Sequence, residues 1–146
     1  NPVSHVAYGY AAHVVVMDGA GRVERVVAAH DVGRAVNPKS CEGQIEGGVA
    51  MGLGYALTED FATQAGYVKA TYATLGLLRA TDMPPVEVIL LGKPCAHRPA
   101  FGVKGVGEIA TIPTAPAAAH AQYRLDGGFR TKLPMEGTFY RPRKGG

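Results

Sequence analysis

The residues best suited to chemistry lie in one short stretch, VKGVGE at residues 103–108. Its glycines tolerate positive φ and let the backbone come close to another group. The stretch ends on one carboxylate, Glu108, and an alanine-rich run that predicts a helix follows it. A carboxylate at a helix N-terminus faces the positive end of the helix dipole, which favours its ionised form. We therefore expect Glu108 to be held at a helix start, over a bound group.

The spacing of the glycines excludes two kinds of phosphate-binding loop for this stretch. Gly102, Gly105 and Gly107 read GxxGxG, whereas a dinucleotide-binding loop requires GxGxxG. A Walker loop requires Gly-Lys followed by Ser or Thr, and this sequence occurs nowhere in the chain. A surface acid in a first helical turn stays an open alternative for Glu108, because acids are enriched there in any helix.

A second glycine-rich segment predicts a helix over residues 38–61. It begins at Asn37-Pro38, an N-cap residue followed by a proline at the first helical position. Each interior glycine costs about 1 kcal/mol relative to alanine, so tertiary contacts must stabilise this helix.

Gly43, Gly47 and Gly54 recur at helical spacing and form a smooth stripe. The stripe indicates either tight packing on a sheet or backbone that touches a cofactor. In the second case Gln44 lies beside it and can recognise a heterocycle, because an amide both donates and accepts hydrogen bonds.

The other elements predict an α+β fold. Residues 8–17 and 22–29 read as a hairpin, and Val86 to Leu91 as a further strand. Prolines place a second helix near 110–124, with its regular part starting near Pro113. We expect a small mixed or antiparallel sheet with both helices packed on one face.

Composition indicates one folded domain with a basic tail. The 146 residues are 47% hydrophobic and 18% charged, so most of the chain is predicted to be ordered. The net charge is +3, and five of the 15 basic residues lie in the last seventeen positions. This pattern indicates a solvated tail over 129–146, anchored by Phe139 and Tyr140, rather than a nucleic-acid surface. The main domain is predicted to span 1–128.

No metal ligands from the chain itself are predicted. Cys41 and Cys95 lack metal-ligand spacing, and we expect two thiols rather than a disulfide. Cys95 and His97 are only two potential ligands. His13 and His30 are expected to be packed or surface residues. The sequence contains no apolar span of about eighteen residues, so we expect a cytoplasmic protein without membrane insertion.

Two motifs taken together resemble the xanthine dehydrogenase family of molybdenum hydroxylases. They are GQIEGG at residues 43–48 and KGVGE at residues 104–108, in that order and preceded by DVG at 31–33. More narrowly, the chain from about Tyr8 to about Pro134 is similar to the C-terminal part of the large, molybdopterin-binding subunit.

The resemblance implies roles for particular residues. Glu108 matches the catalytic glutamate, which acts as general base, and Gln44 matches the glutamine that lies against the molybdopterin. Gly105, Val106 and Gly107 would bring the backbone close to this cofactor. The implied reaction hydroxylates a carbon of an aromatic N-heterocycle such as a purine, or of an aldehyde, with water as the oxygen source.

The resemblance also implies partners. The complete molybdenum subunit is several times longer, and iron–sulfur clusters and FAD are expected on other domains or subunits. The pterin could carry a nucleotide. We expect the chain alone to be inactive, without stably held cofactor, and open to self-association. The alternative is a non-catalytic module that keeps the fold and binds the cofactor or a partner; such a module has no need of Glu108.

Overall fold

The computed structural model describes residues 8–93 and 99–142, which form an α+β fold. Its main helices are α1 (Pro38–Leu57) and α2 (Thr114–Asp126). Its strands are β1 (Ala11–Met17), β2 (Val23–Asp31), β3 (Thr63–Gln64), β4 (Tyr67–Val68) and β5 (Val86–Leu91). Within the described residues, neither helix combines the length and the apolar character needed to cross a membrane.

The main sheet has the strand order β1-β2-β5 and is mixed, which is one of the two predicted alternatives. β1 and β2 form the predicted antiparallel hairpin, whereas β5 runs parallel to β2. Alternate residues of β2, namely Val26, Ala28 and His30, are fully buried. Since side chains alternate across a strand, these three lie on one face, where both helices contact the sheet.

Helix α1 begins where the sequence predicts and ends earlier. The Asn37 side chain accepts a hydrogen bond from the backbone of the first turn, and Pro38 occupies the first helical position. The helix stops at Leu57 rather than near residue 61. Glu59 and Asp60 would place carboxylates at the negative end of the helix dipole, which disfavours continuation.

Two of the three glycines of the predicted stripe do not pack, whereas the third, Gly54, is buried beside the Glu59 side chain. Gly43 and Gly47 are exposed, with open space where a Cβ would lie. A Cβ on Gly48, by contrast, would overlap Ala110, and one on Gly52 would press against the first residue of α2. Tight packing is therefore made one residue further along the helix, and it is made against the segment that leads into α2 rather than against the sheet.

The prediction that Glu108 lies at a helix N-terminus is wrong. Helix α2 begins at Thr114, and Glu108 precedes it in a run of turns over residues 107–113. Pro113 explains the late start, because its ring disfavours the helical conformation of the residue before it. The N-terminal end of the helix dipole therefore does not lie at Glu108.

The segment after α2 is anchored by a residue that sequence reasoning missed. Met135 is fully buried, and its N–H donates to the Ala56 carbonyl of α1 at 2.8 Å. Tyr140 contributes as expected, since its hydroxyl accepts a hydrogen bond from the Val23 N–H. Phe139 remains 46% exposed and stacks against the Arg22 guanidinium.

Two neighbouring glycines of α1 test this packing directly. Gly47→Ala should stabilise the chain by about 1 kcal/mol, because alanine favours a helix and meets no neighbour. Gly48→Ala should destabilise it by about 1–3 kcal/mol, because the new methyl group overpacks Ala110. Urea denaturation of both variants measures the difference. Equal shifts for the two variants would contradict the close approach.

Candidate functional site

The start of the KGVGE stretch and the residues just before it, 102–104, are fixed across the end of β2 by one buried ion pair and two backbone hydrogen bonds. Lys104 Nζ donates to Asp31 Oδ2 at 2.5 Å, and both residues are buried. The Lys104 N–H donates to the Val32 carbonyl at 3.1 Å. The Arg34 N–H donates to the Gly102 carbonyl at 2.8 Å. This part of the loop therefore has one defined position relative to the sheet.

Asp31 accepts hydrogen bonds from both segments at the place where the loop crosses the end of β2. Its second oxygen, Oδ1, accepts the Gly33 N–H at 3.1 Å. Burial by itself raises the pKa of Asp31, but the hydrogen bonds from Lys104 and Gly33 outweigh it and leave the pKa lowered. Gly33 has φ +60°, and a Cβ there would overlap the Gly102 carbonyl. Only glycine fits at that point of the crossing.

The two sequence motifs meet at the next residues of the loop. Gln44 Nε2 donates to the Gly107 carbonyl at 2.8 Å. One turn along α1, Gly48 packs against Ala110. Glu108 lies between these two contacts and is itself exposed. Its backbone is thus held on both sides while its carboxylate faces solvent.

The predicted site residues divide into supporting and exposed ones. Val106 is half-buried and packs against the core. Gly105 and Gly107 are exposed, with open space where each Cβ would lie. Because exposed and half-buried residues alternate here, the Val106 side chain anchors the loop to the core, whereas Gly105 and Gly107 expose their backbone.

We use the name open glycine surface for four exposed glycines and the two polar side chains among them. Its members are Gly43, Gln44, Gly47, Gly105, Gly107 and Glu108. Residues three apart on a helix are neighbours, so Gly47 lies beside Gln44. The surface has no Cβ atoms over much of its extent, and a flat heterocycle could therefore lie directly on backbone N–H and C=O groups.

The structure describes one of the two cysteines. Cys41 is half-buried and lines a pocket of about 240 Å³ together with Val103 and Val106. Cys95 and His97 lie outside the described residues. Within 8–93 and 99–142, no group of three or more His, Cys, Asp or Glu side chains is arranged to hold a metal ion.

Sequence reasoning missed the residues that support the loop. Asp31 stands out in the sequence only as part of the DVG motif, and neither Lys104 nor Thr114 receives a role from it. An acid at the end of an apolar strand, directly followed by Val-Gly, is the available signal for Asp31. Thr114 gives no signal, because only the fold brings it beside β1.

Comparison with known proteins decides the family. Residues 1–84, more than half of the chain, match the family described as molybdopterin cofactor-binding domain. This chain belongs to that family. The matched residues include Gly43, Gln44 and Gly47 of the open glycine surface, whereas Gly105, Gly107 and Glu108 follow the matched range.

Two relatives support this family assignment. The chain is 31% identical over 118 residues to the xanthine dehydrogenase molybdenum-binding subunit of Escherichia coli O157:H7, covering 77% of this chain and 15% of that protein. It is 35% identical over 112 residues to the molybdenum-binding subunit of an aldehyde oxidoreductase of Escherichia coli K12, covering 75% of this chain and 15% of that protein. The predicted resemblance to the molybdenum-binding subunits of this family is confirmed.

Solved structures show the same fold. Aldehyde oxidoreductase from Desulfovibrio gigas matches with a TM-score of 0.70 and 29% identity, over 82% of this chain and 13% of that one. Quinoline 2-oxidoreductase from Pseudomonas putida 86 matches with a TM-score of 0.66 and 31% identity, over 77% and 15%. The predicted α+β class is confirmed, and both of these proteins are named as oxidoreductases. The chain spans less than a fifth of the length of each.

Removing one partner of the buried ion pair tests the loop anchor. Lys104→Met should lower the free energy of unfolding by about 3–5 kcal/mol, because Asp31 is left charged and buried. Adding Asp31→Asn should recover part of this loss, since the charge is removed and an acceptor for the Gly33 N–H remains. Denaturant unfolding of the two single variants and the double variant gives the coupling energy.

The matched control is the exposed pair between Lys39 and Glu42, which has a similar contact distance of 2.7 Å. Lys39→Met should change the stability by less than about 1 kcal/mol, because exposed pairs contribute little. Comparable losses for Lys39→Met and Lys104→Met would contradict the assignment of Lys104 as an anchor.

Proposed function

We propose that this chain is part of a molybdenum hydroxylase, in which the open glycine surface lies along the molybdopterin and Glu108 is the general base. The observation that carries the proposal is the hydrogen bond from Gln44 to the Gly107 carbonyl. It joins the two predicted motifs and leaves exposed glycines on either side. The family match supports the cofactor, since molybdopterin binding defines that family.

The residues present fit a molybdopterin. Gly43, Gly47, Gly105 and Gly107 leave room for a flat ring system against the backbone. Gln44 gives one N–H to Gly107, which orients its amide and leaves Oε1 and the second N–H for the pterin. When bound, the molybdenum cofactor supplies the redox centre that accepts the electrons of the oxidised substrate.

Glu108 then performs the proton transfer. Its exposed carboxylate would accept the O–H proton of the water-derived hydroxyl as that oxygen bonds to the substrate carbon. The C–H bond of that carbon breaks, and its electron pair would go to the redox centre that the bound cofactor supplies. The contacts at Gly107 and Ala110 fix the backbone on both sides of Glu108, so little entropy is lost in positioning it. A positioned general base contributes roughly 10²–10⁴ in rate.

The substrate is proposed to be an aromatic N-heterocycle such as a purine, or an aldehyde. Relatives are named for xanthine, for aldehydes and for nicotine, so the names support the range and not one member. A cytoplasmic location stays a prediction of the sequence.

The proposed partners are the remainder of the molybdenum subunit and chains that carry iron–sulfur clusters and FAD. Several relatives are named as subunits of larger enzymes. The sheet face opposite the helices exposes Val14, Ile89 and Leu91 by 58%, 40% and 44%, an apolar surface suited to packing. Without such partners we expect no turnover, no stably held cofactor and a tendency to self-associate.

Substitution of the acid in the assembled enzyme tests the proposal. Glu108→Gln should lower kcat by roughly 10²–10⁴ while molybdenum content stays unchanged, because the amide cannot accept the proton. Steady-state kinetics and metal analysis of the enzyme purified with its partner chains measure both quantities. Glu136→Gln, at an exposed acid of the final segment, is the control and should leave kcat unchanged.

Full activity of the Glu108→Gln enzyme would overturn the general-base role and favour the non-catalytic alternative. Gln44→Ala should instead reduce the molybdopterin content of the purified enzyme, since the ring loses its polar contact. Unchanged content would overturn the assignment of Gln44.

A further inference from the structure

A partly buried series of hydrogen bonds joins the two histidines of the hairpin to the segment after Glu108. His30 Nε2 and His13 Nε2 are 2.6 Å apart. His13 Nδ1 lies 2.9 Å from the Thr114 hydroxyl, which donates to the Ala110 carbonyl at 3.2 Å. His30 and Thr114 are fully buried. The series of hydrogen bonds thus runs from His30 in β2, through His13 in β1, to the Ala110 carbonyl near Glu108.

The proton positions in this chain follow from counting donors. The Thr114 hydroxyl has one proton and gives it to Ala110, so it must accept a proton from His13 Nδ1. A neutral His13 then carries no proton on Nε2, which accepts from His30 Nε2. His30 Nδ1 is left as a bare lone pair.

An independent observation selects the same arrangement. Among the described residues, His30 Nδ1 is buried and has no hydrogen-bond partner. The reverse arrangement would place an N–H there without an acceptor, and it would also break the bond to Ala110. Buried N–H groups without a partner are rarer than undersatisfied acceptors. Thr114 at one end of the hydrogen-bond series and His30 at the other therefore favour the same pair of tautomers.

The surroundings keep both rings neutral near pH 7. Burial, and then the neighbouring His30, lower the pKa of His13 to about 4. Burial also lowers the pKa of His30. The hydrogen bonds also favour neutral rings, because a second proton on His13 would remove the acceptor for the His30 N–H, and one on His30 Nδ1 would be a buried N–H without a partner.

We infer that His13 and His30 are positioning residues for Glu108, acting through Thr114 and the Ala110 carbonyl in one tautomeric arrangement. This inference rests on the proposed function of Glu108. Ala110 is held from one side by Gly48 and from the other by Thr114, and the Glu108 carbonyl accepts the Thr111 N–H at 3.0 Å. Loss of the Thr114 bond would release the backbone on the C-terminal side of Glu108.

The tautomers can be measured in the 146-residue chain. Long-range ¹H–¹⁵N spectra of the ¹⁵N-labelled protein at pH 7 should show His13 protonated on Nδ1 and His30 protonated on Nε2. His30→Gln, which retains an N–H donor, should keep the His13 tautomer, whereas in His30→Leu only Thr114 still favours it and His13 protonated on Nε2 should become detectable. A purely packing role would not make this distinction. The opposite tautomers in the wild type overturn the inference, and this readout needs no variant to fold.

The effect on the Glu108 segment is a second measurement. Thr114→Val retains the shape of the side chain and removes the hydroxyl, so hydrogen exchange of the Thr111 amide should become about tenfold faster. Thr138→Val is the control, because the Thr138 hydroxyl is also buried and also donates to a backbone carbonyl, that of Met135. Unchanged Thr111 exchange in a folded Thr114→Val chain overturns the positioning role. Neither measurement uses cofactor or turnover, so its failure is distinct from failure of the proposed reaction.

Discussion

The buried ion pair between Lys104 and Asp31 is the interaction on which the site depends. Two charges removed from water are tolerated only when they meet each other and their remaining hydrogen-bonding groups are satisfied. Asp31 meets this condition with Lys104 on one oxygen and the Gly33 N–H on the other. The loop that carries the acid therefore cannot shift along the end of β2 without leaving a charge unpaired in the core.

The rest of the site extends from this anchor toward α1. Val106 packs inward, so the glycines on either side of it face outward. Gln44 then fixes the Gly107 carbonyl. The bare side of α1, at Gly47, is available because the packing glycine is its neighbour, Gly48. Neighbouring glycines of one helix thus differ in purpose, one for close packing and one for an open backbone surface.

Local patterns are sufficient to predict most of the fold. The hairpin, the β5 strand and the Asn37-Pro38 helix start follow from alternation, turn residues and capping. The predicted end of α1 is too late, because the pattern of apolar residues does not include the effect of Glu59 and Asp60 on the helix end. The predicted range of 110–124 for the second helix begins too early, because alanine-rich composition favours a helix where Pro113 restricts the residue before it. The regular part starts near Pro113, as predicted.

The sequence predicts which residues form the candidate site, but it does not predict the contacts that hold them in place. The motifs identify Gln44 and Glu108, and the structure brings the Gln44 side chain against the residue before Glu108. The pairing of Asp31 with Lys104, and of His13 with Thr114, joins positions far apart in the sequence. No periodicity or spacing reports such contacts, since they are set by how β2, the loop and α2 pack together.

The central claim is that the free chain already holds the Glu108 loop in one position. Backbone ¹⁵N relaxation of the labelled chain measures this most directly. We expect order parameters of about 0.85 for Gly105, Gly107 and Glu108, equal to those of the strands. Values below about 0.6 at these three residues, with a rigid sheet and helices, would contradict the account, because the anchors described above would then not fix the loop.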